Sequence, residues 1–82
     1  MENKYQKEVD EFKKYKFPEY VMEDLQEYYK VKEAYIERNE DNFIEHKFDM
    51  IYTSLKAQWV CGRINEPTFW NLVTILKKGV TK

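Results

Sequence analysis

The chain has 82 residues, enough for one small domain, and a formal net charge of −1. It is 43% hydrophobic, 35% charged and 17% aromatic, with only two glycines and two prolines. That composition excludes disorder, a collagen-like repeat and a loop-rich disulfide scaffold, and it disfavours a sandwich or barrel, whose many turns consume turn residues.

Residues 3–16 place Tyr5, Val9 and Phe12 at steps of four and three, a helical stripe that the stem of Lys16 can extend. Lysines and glutamates dominate the segment, so residues 1–17 are expected to be peripheral or partly mobile within a single domain spanning 1–82. Phe17-Pro18 then breaks the chain, because the residue before proline avoids helical geometry and proline suits the first turn of the next helix.

Helix two is expected over 18–38. Val21, Leu25, Tyr28, Tyr35 and Ile36 fall on one side at about 100° per residue, with Met22 and Tyr29 at the margin. Lys32 stands in the middle of that stripe and reads as a snorkelling lysine at the core edge. The run Arg38-Asn39-Glu40-Asp41-Asn42 suits a turn. Asn39 can end helix two in a left-handed conformation or cap helix three, and Glu40 and Asp41 fit a helix N-terminus. Neither glycine nor proline enforces the break, so one continuous helix through this point is the competing reading.

Helix three, over 40–61, carries a main stripe of Ile44, Phe48, Ile51, Tyr52, Leu55 and Trp59. A second stripe, Phe43, Met50, Ala57 and Cys61, is displaced by about 120°, which predicts neighbours on two sides. Gly62 then suits the left-handed position after a helix end, Asn65 the N-cap, and Pro67 the first turn. Ile64 and Phe69 are placed to close as a hydrophobic staple. Helix four, over 66–78, buries Phe69, Leu72, Val73 and Leu76; Lys77 and Lys78 favour its negative end, and Gly79 stops it. Within this stretch Gly62, Arg63, Ile64, Glu66 and Phe69 form a Gly-x-Ile link followed by an acid and an aromatic. Residues 55–76 thereby resemble the short helical hairpins at the ends of many bacterial and phage proteins, and the resemblance implies a packing unit. The expected fold is all-α, a compact bundle of three to four helices linked near 17–18, 39–41 and 62–65, with a C-terminal helical hairpin turning at Gly62–Pro67.

The chemistry available for catalysis is sparse. His46 is the only histidine; Glu45, His46 and Asp49 share one helix without the Glu-x-x-His pattern of bundle di-metal sites, so His46 reads as a solvated side chain. Cys61, the only cysteine, allows no internal disulfide and no cysteine-rich zinc site. Near a helix C-terminus the negative dipole end disfavours its thiolate, so it reads as a small buried hydrophobe. The expectation is a non-enzymatic protein without cofactor or metal. The apolar runs are too short to span a bilayer, no basic-then-apolar leader begins at Met1, and the lone cysteine fits a reducing compartment; the expected location is cytoplasmic. Twelve lysines against two arginines, with abundant Tyr, Asn, Ile and Phe, match the coding bias of an AT-rich genome, which points to a low-GC bacterial host or its phage.

Charge is unevenly distributed. Residues 19–49 hold ten acids and four bases, a net −6; residues 51–82 hold five bases and one acid, a net +4. Tyr20, Tyr28, Tyr29 and Tyr35 interleave with the acids, and tyrosine beside charge is a common interface texture. The leading expectation is a small protein-binding regulator or inhibitor, encoded by a phage or mobile element, that blocks a site on a larger partner. Its contact residues would be Tyr20, Glu27, Tyr29, Glu33, Tyr35, Glu37, Glu40 and Asp41. One alternative is a nucleic-acid mimic of the anti-restriction or anti-CRISPR type, with the 19–49 carboxylates standing in for phosphates. Another is a small DNA-binding regulator using the basic C-terminal helical unit, although helix four offers only Asn71, Thr74, Lys77 and Lys78 as polar reach. Trp70 and Ile75 flank the stripe of helix four and leave a homodimer open.

Overall fold

Breakers and caps divide the chain into four helices in the computed structural model, which describes residues 5–78 and Val80. They are α1 (Gln6–Lys13), α2 (Glu19–Arg38), α3 (Ile44–Val60) and α4 (Glu66–Lys77), and no strand occurs among the described residues. The protein is an all-α bundle. The long pair α2 and α3 forms its centre, and α4 folds back on α3.

Each break has a local cause. After α1 the chain leaves helical geometry at Lys16, whose φ is +51°. Lys16 therefore does not extend the apolar stripe. Pro18 is extended, with φ −56° and ψ 155°, and its carbonyl accepts from Val21 and Met22 N–H at 3.0 and 3.3 Å. Proline thus stands just before the first helical residue rather than within the first turn. Asn39 ends α2 in the left-handed region, φ +56°, where the Glu40 N–H reaches the Ala34 carbonyl at 3.2 Å. Asn42 and Phe43 also have positive φ, +45° and +61°. Three such residues in five exclude a continuous helix, and they delay the start of α3 from the expected 40 to Ile44. Gly62 closes α3 with φ +88° while the Arg63 N–H bonds back to the Gln58 carbonyl at 2.9 Å. The Asn65 side chain caps α4 by accepting from the Thr68 N–H at 3.0 Å. The role given to Gly79 lies outside the described residues.

The core is a run of rings. Tyr5 meets Tyr29 (5.3 Å between ring centres), Tyr29 meets Tyr28 (5.4 Å), and Tyr28 meets Phe48 (5.9 Å). Phe48 then meets Tyr52 (6.0 Å), Tyr52 meets Phe69 (5.3 Å), and Phe69 meets Trp59 (5.1 Å). This path crosses from α1 through α2 and α3 to α4, so most aromatic side chains hold the helices together. Val9, Phe12, Val21, Leu25, Ile51, Leu55, Ile64, Leu72, Val73 and Leu76 fill the remaining space. Each such side chain contributes about 1.5–3 kcal/mol on full burial.

Further expectations need correction. Tyr5, Val9, Phe12 and Phe17 are all buried, so the N-terminal segment from Tyr5 onward is part of the core, not its periphery. Their spacing outweighs the lysines and glutamates between them, which simply face water. Ile36, near the end of α2, is 40% exposed and does not join the core. The second stripe of α3 has no neighbour: Phe43, Met50, Ala57 and Cys61 are all exposed, since α2 and α4 cover adjoining parts of a single face. Cys61 is consequently not a buried hydrophobe.

Lys32 is another. It does not snorkel; only 1% of it is exposed. Its Nζ lies 3.5 Å from Glu8 Oε1 and donates to the Leu76 carbonyl at 3.3 Å. The rings of Tyr5, Tyr28 and Tyr29 surround it, with centres 5.2–6.0 Å away. One ammonium therefore ties α1, α2 and the end of α4 together. Burial holds the Lys32 pKa below its ordinary value, and Glu8 opposes that shift only in part.

Candidate functional site: an acid-rimmed aromatic groove

The eight residues expected to contact a partner do not share one surface. Tyr29 is buried and donates its hydroxyl to Glu8 Oε1 at 3.3 Å, so it belongs to the α1–α2 contact. Burial and the Glu8 charge push its pKa far above the usual phenol value. Glu33 lines a shallow cleft between α1 and α2. Glu27 is exposed beside Lys30, 3.8 Å away, and Glu37 is exposed on the last turn of α2. Glu40 accepts from Arg38 Nε at 3.2 Å and Asn42 Nδ2 at 3.3 Å, within the α2–α3 turn.

Tyr20 is half exposed, but its hydroxyl has a structural partner. It accepts from Gln58 Nε2 at 2.8 Å; Gln58 Oε1 accepts from Arg63 Nε at 2.9 Å, and Arg63 donates to the Lys16 carbonyl at 3.3 Å. That relay joins the α1–α2 link to the α3–α4 turn. The α2 residues are thus split by the core seam, with Tyr20 and Tyr35 on the α3 flank and Tyr29 and Glu33 on the α1 flank. The sequence places them close along the chain, but helical rotation separates them.

Two of the eight do come together, Tyr35 and Asp41. They line a groove of about 400 Å³ where the end of α2 meets the start of α3 and the end of α4. Tyr28, Ile44 and Phe48 supply its apolar wall, Glu45 and Asp49 join Asp41 as acids, and Lys77 and Val80 close the α4 side. The geometry follows from spacing. Glu45 and Asp49, four residues apart on α3, stand as neighbours beside Ile44 and Phe48, and Asp41 reaches the groove from the α2–α3 turn. Asp41 Oδ1 accepts from the Ile44 N–H at 3.2 Å and steadies the first turn of α3. Glu45 and Asp49 engage no ion pair or hydrogen bond among the described residues. Lys77 Nζ stands 6.0 Å from the centre of the Phe48 ring, so that ring already faces a cation. Tyr28 donates its hydroxyl to the Leu76 carbonyl at 2.5 Å, and burial pushes its pKa well above 10. It acts here as a neutral donor, fully buried in the groove wall.

Sequence reading missed Ile44, Glu45, Phe48, Asp49, Lys77 and Val80 as groove residues. The signal was the Glu45–Asp49 pair, one turn apart beside the main stripe of α3. His46 lies exposed in a shallow depression with Asp24, Asp49, Met50 and Thr53, where Asp24 Oδ2 accepts from the Ser54 hydroxyl at 2.7 Å. Among the described residues no group of three or more His, Cys, Asp or Glu is placed to hold a metal ion. No described helix is long and apolar enough to cross a membrane. What the groove offers chemically is recognition: ring faces, an aliphatic wall and carboxylate acceptors. No protein-family model, curated protein or solved structure matches the chain.

Proposed function

We propose that this protein is a non-catalytic binding protein, a small regulator or inhibitor that occupies a site on a larger protein, and that the groove between α2, α3 and α4 is where it engages that partner. The observation carrying this reading is the placement of Glu45 and Asp49 beside Tyr35 and Phe48 without a hydrogen-bond or ion-pair partner among the described residues. Carboxylates that serve the fold here have evident partners, as Glu8 does with Lys32 and Asp24 with Ser54. The exposed rings of Phe43 and Trp70 add apolar surface outside the core. A phage-encoded, cytoplasmic setting remains a proposal that rests on composition alone.

The nucleic-acid-mimic reading draws less support. Of its acids, Glu27 and Glu40 already stand beside bases, and Asp24 and Asp41 accept from the Ser54 hydroxyl and the Ile44 N–H. The test is affinity capture from the host cell with the intact chain and two variants. Tyr35→Ala with Glu45→Arg disrupts the groove, while Glu23→Gln with Glu27→Gln alters acids elsewhere on α2. The reading expects a partner that the groove variant loses and the other keeps. Equal retention by all three, with folding confirmed by circular dichroism, would refute it.

A further inference from the structure

We infer that the groove accepts an arginine side chain presented by an extended segment of the partner protein; this inference rests on the docking reading above. Size limits the occupant first. About 400 Å³ is near the low end of the ~300–1,000 Å³ range for ligand clefts, which suits one or two side chains rather than a helix or a duplex. Charge limits it next. Asp41, Glu45 and Asp49 line the opening, and Glu45 and Asp49 lie one helical turn apart, about 6 Å along the axis. Asp41 has one oxygen engaged by the Ile44 N–H, so Glu45 and Asp49 are the acceptors available to a guest.

Shape then favours arginine over lysine. The Tyr35 and Phe48 rings line the same space, and a planar guanidinium stacks on an aromatic face while its fork of N–H donors spans two carboxylates. An ammonium satisfies the charge but not the plane. Lys77 shows the difference within the fold: its Nζ is 6.0 Å from the Phe48 ring centre, a point charge placed at one side of the groove. Ile44 and Val80 offer apolar contact to the arginine stem and to a flanking aliphatic residue of the segment.

Three blocked pentapeptides, Ala-Leu-Arg-Leu-Ala and its lysine and citrulline counterparts, test this by titration into the ¹⁵N-labelled full chain. Citrulline keeps the shape and removes the charge. The arginine peptide is expected to shift the amide signals of Tyr35, Ile44, Phe48 and Asp49, with the lysine peptide weaker. The citrulline peptide should bind at least about ten-fold more weakly, the loss expected when a charge-assisted hydrogen bond is removed. Glu45→Gln with Asp49→Asn should weaken the arginine peptide by a similar factor; Glu23→Gln with Glu27→Gln should not. Each variant's spectrum away from the groove reports that it is folded. Equal titration by arginine and citrulline, shifts centred on another face, or no shift at millimolar peptide would overturn arginine recognition. If the cellular partner still depends on Tyr35 and Glu45 in that event, docking at the groove stands and only the occupant is wrong. If the partner ignores the groove, both fall.

Discussion

Removing the two members of the Lys32–Glu8 pair should have opposite consequences. Lys32 is 1% exposed and the Glu8 side chain 21%, with 3.5 Å between Nζ and Oε1. At an effective dielectric near 20 the attraction is about 5 kcal/mol. Burying the ammonium costs several kcal/mol in the other direction. The lowered pKa of Lys32 decides between them, because desolvation is its largest cause and exceeds the opposing influence of Glu8. The charged form is therefore disfavoured relative to the neutral amine, and replacing a buried ion-paired side chain by an apolar one of similar volume is often neutral or stabilising. Lys32→Met should leave stability unchanged or raise it by up to about 2 kcal/mol. The Leu76 carbonyl keeps its bond from Tyr28, and Glu8 keeps the one from Tyr29. Glu8→Gln retains an acceptor but removes the counter-charge, and should cost about 1–3 kcal/mol near neutral pH. For a domain of this size each kcal/mol moves Tm by about 4–8 °C. Between the depressed folded pKa of Lys32 and its ordinary 10.5 the unfolded chain binds more protons, so this contribution to stability grows as pH rises. The Glu8→Gln deficit should accordingly shrink as pH rises toward 10.5. Urea melts of both variants at neutral and alkaline pH measure it. A Lys32→Met variant that is clearly the more destabilised of the two would refute the reasoning.

Phe43→Gly should stabilise the protein by about 0.5–1 kcal/mol, since a non-glycine residue at φ +61° is strained and the ring is 79% exposed; thermal melting reads it. Gly62→Ala should cost about 1 kcal/mol through backbone geometry alone, because φ is +88° and nothing stands within 4 Å of the added methyl. Asn65→Ala should cost about 1 kcal/mol and raise amide exchange in the first turn of α4, where the Thr68 N–H loses its acceptor. Tyr28 and Tyr29 have raised pKa values, so their contribution is complete below pH 10 and is lost as pH climbs beyond it, where only the unfolded chain ionises them. Alkaline denaturation curves of Tyr29→Phe should show a shallower fall above pH 10 than the parent chain.

The helices were legible because their stripes and punctuation agree. Gly62, Asn65 and Pro67 mark one turn by three separate mechanisms, and the structure uses all three. The α2–α3 turn was only half legible. Asn39 declared a left-handed end, but nothing at Phe43 signals a positive φ, which tertiary geometry imposes. Lys32 was misread because periodicity places a residue on a face without revealing whether a distant acid, here Glu8, waits beside it. Interface texture misled for a related reason. Tyr28 and Tyr29 look alike among their acidic neighbours, yet they are links in the aromatic core. The groove stayed hidden because its walls come from three helices, and only the Glu45–Asp49 spacing on α3 was local.

The central claim is that the partner lies in the groove rather than on another face of the bundle. Amide hydrogen exchange of the protein alone and in complex with its captured partner tests it most directly. The account predicts added protection across residues 35–49 and at Lys77, with the outer face of α4 around Trp70 and Thr74 unchanged. Protection confined to α4, or to the exposed face of α2 around Glu23 and Glu27, would contradict it.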